Sequence, residues 1–280
     1  MSNTTFRDQN TVTTILAIRN QLAANIGISL EVDPATTINT KRGVIPEWVP
    51  TTFPKIRYFG IGIKGYANLT SEDNIAQPYV PSPEDCDLYN PVPFRCVRVT
   101  EDLTDDEKAQ YRIRTKAIIN DVEYYQYWLK KIIFESTVAK TTKITDGVES
   151  EYTFTSANLS PSPVDLYPTD LGDTSNRIVA SVTGICRVTG KEILEVCNAM
   201  YGGDIRRMRI SEFGTYSGCE WGVNNKEMPV NPKDDASCVR LEAGYVQLCT
   251  HKCTLGQTLS NPDDILIERK VFENGSCVIV

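Results

Sequence analysis

A mainly β, antiparallel body with a few short helices, of sandwich or jelly-roll type and carrying extended arms, is the fold class this sequence predicts. Three observations predict it. Short runs rich in Val, Ile, Thr and aromatic residues alternate with turn signals. Helical patterns are few and brief. The 15 prolines of the 280 residues concentrate in stretches where neither a long helix nor a central strand can form.

Taken in order, the first segment (8–25) sets Val12, Ile15, Ile18, Leu22 and Ile26 on one stripe, with Asp8 as N-cap and Gly27 as C′ residue. This is one amphipathic helix. Residues 31–54 hold Asp33-Pro34, Ile45-Pro46, Val49-Pro50 and Phe53-Pro54, and so form an extended arm. Lys55 to Gly65 starts as an alternating strand and ends in glycines. Gly60, Gly62 and Gly65 spell G-x-G-x-x-G, but no helix opens at the last glycine and no second parallel strand follows. A dinucleotide site needs both, so the pattern reads as a bend where backbone passes close to backbone. A second proline-punctuated stretch, 66–100, follows as an arm or edge element.

Thr104 caps a short acidic helix. Tyr111–Ile119 and Val122–Phe134 then flank Asn120-Asp121, which predicts a long hairpin with a two-residue turn. A continuous helix over 104–133 is the competing reading. A second hairpin is predicted around Asp146-Gly147, and 157–176 reads as a linker loop. Beyond it come a strand (177–189), a short helix (191–200), the Gly202-Gly203 break, a strand (205–216), a polar loop near Trp221, two more strands (243–253 and 265–271) and a turn at Asn274-Gly275. The organisation expected is an N-terminal helix and arm (1–54), a β-rich domain (55–156), the linker (157–176) and a C-terminal β-rich domain (177–280).

Composition narrows the chemistry. A net charge of −7 argues against a protein built to neutralise a phosphate backbone, and no apolar run approaches membrane-spanning length. Neither direct nucleic-acid nor membrane binding is expected, and the N-terminus carries no secretory h-region. One histidine, His251, removes most triads and histidine-based metal sites. Nine cysteines without a Cys-x-x-Cys pair read as reduced thiols, several of them core residues. Cys249, His251 and Cys253 are the one ligand-like cluster, since alternation on a strand puts them on one face. A zinc knuckle would need a fourth ligand of the usual spacing. The acids gather in turns and helix starts, Asp85 with Asp87 among them, where solvated positions are the rule. No catalytic residue, metal or cofactor is expected.

The helical start, the strand Tyr58-Phe-Gly-Ile-Gly62, the loops Pro81-Ser-Pro83 and Pro91-Val-Pro93 and the aromatic hairpin together resemble virion structural proteins of tailed bacteriophages. In their order they are similar to baseplate wedge and tail proteins of contractile-tailed phages. Arg209-Ile-Ser-Glu-Phe-Gly-Thr-Tyr-Ser-Gly-Cys219 resembles the I-S-E-I-G strand phrase of such proteins, departing from it at Phe213. The resemblance implies a non-enzymatic virion component, made in the bacterial cytoplasm, that associates with itself and with other phage structural proteins. Arm and hairpin aromatics are then the interaction candidates: Trp48, Phe53, Tyr66, Tyr79, Tyr89, Phe94, Tyr125, Tyr127 and Trp128. A neck or head-to-tail connector is the alternative within the same class. A carbohydrate module using Tyr124–Trp128 is the alternative from another class, and a nicotinamide enzyme comes last.

Overall fold

The computed structural model describes residues 11–30, 32–44, 53–67, 77–145, 147–156, 177–224, 229–230 and 237–278. Two compact units divide the chain, one of residues 1–131 and 187–266, the other of 132–186 and 267–280. The body is mainly β and antiparallel, as the sequence predicts.

In the first unit, β1 (Thr11–Thr13) leads into α1 (Ile15–Ile26), which Thr14 caps by accepting from the Ala17 N–H. Gly27 closes the helix with φ 74°, the left-handed conformation that glycine adopts without strain. The helix therefore ends where expected but starts later, because residues 11–13 pair with a strand; Asp8 lies outside the described residues. A 3₁₀ turn (Pro34–Thr36) and the one-turn helix α2 (Ile38–Lys41) follow. Next come β2 (Lys55–Gly62), β3 (Tyr66–Ala67), β4 (Gln77–Pro78), β5 (Pro91–Val92), β6 (Arg95–Arg98) and α3 (Asp105–Lys108). The hairpin of β7 (Tyr111–Ile119) and β8 (Val122–Lys131) turns at Asn120 and Asp121, with φ 50° and 61°, so the competing long helix is set aside.

The second unit contains β9 (Ile133–Phe134), β10 (Lys140–Thr145), β11 (Val148–Glu151) and most of β12 (Arg177–Thr189). Beyond β12 the chain re-enters the first unit through α4 (Gly190–Tyr201), boxed by Thr189 and Glu192 and ended at Gly202. It continues in β13 (Ile210–Asn224), β14 (Pro229–Val230), β15 (Cys238–Gln257) and β16 (Ile265–Val278), the last of which belongs mostly to the second unit. The large sheet runs β1-β15-β13-β2-β8-β6, with β14 on β13, β5 on β2 and β7 on β8; the small sheet runs β11-β10-β12-β16, with β9 on β12.

Four expectations change. The domain boundary does not fall at a 157–176 linker, which lies outside the described residues, because β12 pairs with β9 and β10 and so joins 177–186 to the segment before it. The described part of the first arm is seated on its own body: Ile38 and Asn39 are buried, and the Asn39 amide donates to the Ala243 carbonyl and accepts from the Val246 N–H. Leu88, Val92 and Phe94 of the second arm are core residues for the same reason, that apolar side chains there find a buried face. Finally, β13 runs through Trp221 to Asn224 and β16 runs through Asn274-Gly275, where long sheet pairing overrides the local turn preference.

The sheet interior holds charges as well as apolar residues. Tyr58, Leu88, Ile113, Leu129, Tyr216, Val246 and Leu248 form one cluster. Ile113 has φ 57°, costly for a β-branched residue, and this turns its N–H and that of Arg114 onto the buried Glu242 carboxylate. The Arg112 side chain is fully buried and donates to the Tyr111 and Ala109 carbonyls and to Glu220. Burial alone would raise the Glu220 carboxyl, but Arg112 and Lys131 outweigh it and hold it below the usual range.

Glu220→Ala strands Arg112 and is expected to cost about 3–5 kcal/mol in urea unfolding at pH 7. Pairing it with Arg112→Met should restore most of the loss. Because the Glu220 pKa lies below its ordinary 4.5, its contribution is present above pH 4.5 and the penalty should shrink as the pH falls further.

Candidate functional site

One buried cluster of chemically versatile groups stands out among the described residues: Glu212, His251 and Cys253. Strand geometry assembles it. His251 and Cys253 are two apart on β15 and share a face, and Glu212 of β13 lies directly opposite Cys253. Val12 of β1 pairs with His251 on the other side. All three cluster side chains are fully buried.

Glu212 is oriented from several directions. Its Oε2 accepts the Lys64 and Asn90 N–H groups at 2.9 and 3.1 Å, and its Oε1 accepts the Tyr89 N–H at 2.7 Å. The glycine pattern makes the room for this. A Cβ on Gly62, opposite Glu212, would meet the carboxylate and approach the Asn90 carbonyl to 2.9 Å; one on Gly65 would run into the Ser211 carbonyl. β3 follows at Tyr66, so the glycines serve close backbone approach, as the sequence reading has it.

His251 is held at both ring nitrogens. Nδ1 lies 2.8 Å from Asp85 Oδ2, while Nε2 lies 3.3 Å from Glu212 Oε1 and 3.7 Å from Cys253 Sγ. The Tyr89 ring packs edge-on against the imidazole, centroids 4.7 Å apart. Burial works against charge on the ring, but contacts to Cys253, Glu212 and Asp85 outweigh it and push the histidine up to about 10. Burial opposes the charge of Glu212 too, yet His251 and the three backbone N–H groups hold its carboxyl below the usual range. The ring thus sits between two acidic side chains, Asp85 and Glu212.

Sequence reasoning found two of these residues and missed two. Cys249 does not join: it falls on a bulge between the Thr215–Thr250 and Tyr216–Leu248 pairs, which breaks the alternation, and its thiol donates to the Gln247 carbonyl. Asp85 leaves the class of solvated turn acids, since the loop folds it onto His251. Glu212 was visible only as an acid within the strand phrase 209–219.

The aromatic candidates disperse. Trp48 lies outside the described residues. Phe94 and Tyr127 are core residues, Phe94 edge-on to Phe59 and Tyr127 donating its hydroxyl to Asp102 at 2.6 Å, so neither is available to a partner. Trp128 carries the Arg42 guanidinium 3.4 Å above its ring and donates its indole N–H to Thr115. Tyr125 is covered by Arg114 at 4.1 Å, Tyr66 by Arg209 at 5.0 Å, and Phe53 is half-buried. Among the described candidates, Tyr79 and Tyr89 present exposed rings, edge-on to each other at 5.9 Å.

Glu212→Gln places an amide NH₂ against N–H donors whichever way it turns. We expect a loss of about 3 kcal/mol in urea unfolding. In hydrogen exchange, protection at the Lys64, Tyr89 and Asn90 amides should fall before that of β13 itself.

No curated protein and no solved structure matches the chain. A family model does match, over residues 1–231, a span that takes in Asp85 and Glu212 and stops before His251 and Cys253. The chain therefore belongs to that family, described as a family of unknown function, DUF7208.

Proposed function

We propose that this chain is a non-enzymatic structural subunit that docks with copies of itself and with other structural proteins, as a tail or baseplate component of a phage particle does. The observation that carries this reading is the orientation of α1. Its inward face buries Leu16 and Ala23 and is fixed by polar groups: Thr14 donates to the Leu248 carbonyl, and the buried Asn20 amide donates to Ser217 and Gln247 at 3.2 and 3.1 Å. The apolar stripe expected to face a core faces out instead, with Ile15, Ile18, Leu22 and Ile26 between 47% and 62% exposed and Ile28 continuing the row. These side chains are already about half covered, so burying the remainder contributes about 1 kcal/mol each, and the row of five is a docking surface of moderate strength.

The second unit exposes apolar side chains of its own. Val138, Val148 and Phe154 are each about 70% exposed there, on or beside edge strands. The sugar-platform alternative loses its support, since the Trp128 ring face is taken by Arg42.

The test uses sedimentation velocity over a concentration series. Wild type should associate as its concentration rises. Ile18→Asp with Leu22→Asp, at solvent-facing positions that leave the fold intact, should shift the weak association toward monomer by at least about tenfold in dissociation constant. A wild-type chain that stays monomeric throughout, and that is absent from purified particles by immunogold labelling, would remove the proposal.

A further inference from the structure

The geometry points to a zinc site formed by Glu212 Oε1, His251 Nε2 and Cys253 Sγ, with Asp85 as the group that orients the histidine. The distances carry the inference. On one side the ring makes a short contact, 2.8 Å from Nδ1 to Asp85 Oδ2. On its other side the same ring keeps 3.3 Å from Glu212 Oε1, longer than its contact to Asp85, and 3.7 Å from Cys253 Sγ. Those separations are what ligands of one tetrahedral zinc keep from each other. Bond lengths of about 2.0–2.1 Å to nitrogen and oxygen and about 2.3 Å to sulfur put the N···O edge near 3.3 Å and the N···S edge near 3.6 Å. The three ligand atoms all lie within 4.8 Å of one another.

The surroundings fit the same ion. A carboxylate on the non-ligating nitrogen of a metal-bound histidine fixes its tautomer and ring orientation, and Asp85, itself held by the Ser82 N–H at 2.9 Å, is in that place. Three backbone N–H groups orient the Glu212 carboxylate, Lys64 and Asn90 on Oε2 and Tyr89 on Oε1, with Oε1 also facing His251. Thiolate, imidazole and carboxylate together favour zinc over magnesium or calcium. Zinc would take the neutral imidazole through Nε2 and the thiolate of Cys253, any protons on those two atoms leaving to solvent. Three protein ligands leave the fourth position to a water molecule. With all three side chains fully buried, the role is to hold β13, β15 and the 82–90 loop together, independently of the docking surface on α1.

The full-length chain, refolded from denaturant with zinc ion or without metal, tests this. We expect one zinc per chain retained through desalting and a thermal midpoint raised by at least about 5 °C. Cobalt in place of zinc should give tetrahedral visible bands and a thiolate-to-cobalt charge-transfer band. Cys253→Ser should abolish the charge-transfer band, Cys249→Ser should keep it, and Asp85→Asn should weaken metal binding about 10–100-fold. The wild-type cobalt spectrum decides the matter even if Cys253→Ser fails to fold. Wild type that retains no zinc and shows no thiolate-to-cobalt band, or a band that survives Cys253→Ser, would overturn the assignment.

Discussion

A carboxylate taken out of water costs several kcal/mol unless donors meet it, and Glu212, in mid-sheet, is the group around which the first unit is arranged. The donors come from three places: the end of β2, the loop before β5, and His251 on β15. That loop has almost no regular structure of its own, so its backbone groups need partners from elsewhere, and the anion supplies them. Its other acids work similarly. Asp87 accepts the Tyr216 hydroxyl at 2.8 Å and pairs with Lys41, while Asp85 receives His251, so one loop ties β13, α2 and β15 together.

The same device recurs along the β13–β15 pair. Glu242 gathers two successive N–H groups from β7 at a left-handed Ile113, and Glu220 meets the buried Arg112. Each charge fixes a register that apolar packing alone leaves loose, because a slipped strand would leave an ion unpaired in a dry interior. Polar groups, Thr14 and Asn20, fix α1 together with the buried Leu16 and Ala23, while Ile15, Ile18, Leu22 and Ile26 stay exposed. Hydrogen bonds thus specify the interior while hydrophobic area on α1 is left exposed.

Local signals were legible where local physics decides. Asn120-Asp121 and Gly147 make their turns because those residues accept positive φ. Thr104 and Thr189 cap helices because their hydroxyls reach the backbone three residues on, and Gly27 and Gly202 stop helices for want of a Cβ. The candidate site was half legible. His251 and Cys253 share a face by alternation, but the bulge that expels Cys249 depends on the partner strand, and Glu212 and Asp85 lie 39 and 166 residues away from the histidine along the chain.

By itself, then, the sequence determined a mainly antiparallel β chain, its hairpins and helix ends, and the scarcity of histidine chemistry, since these follow from dihedral preference, alternation and composition. Tertiary structure alone decided that 177–186 pair back with 133–145, that the described parts of the two proline-rich arms are seated on the body, and which face of α1 looks outward. It also brought two acids onto the lone histidine. Those outcomes rest on pairings between distant residues, where the gain from burying one face or satisfying one buried charge outweighs any preference written in a short stretch of chain.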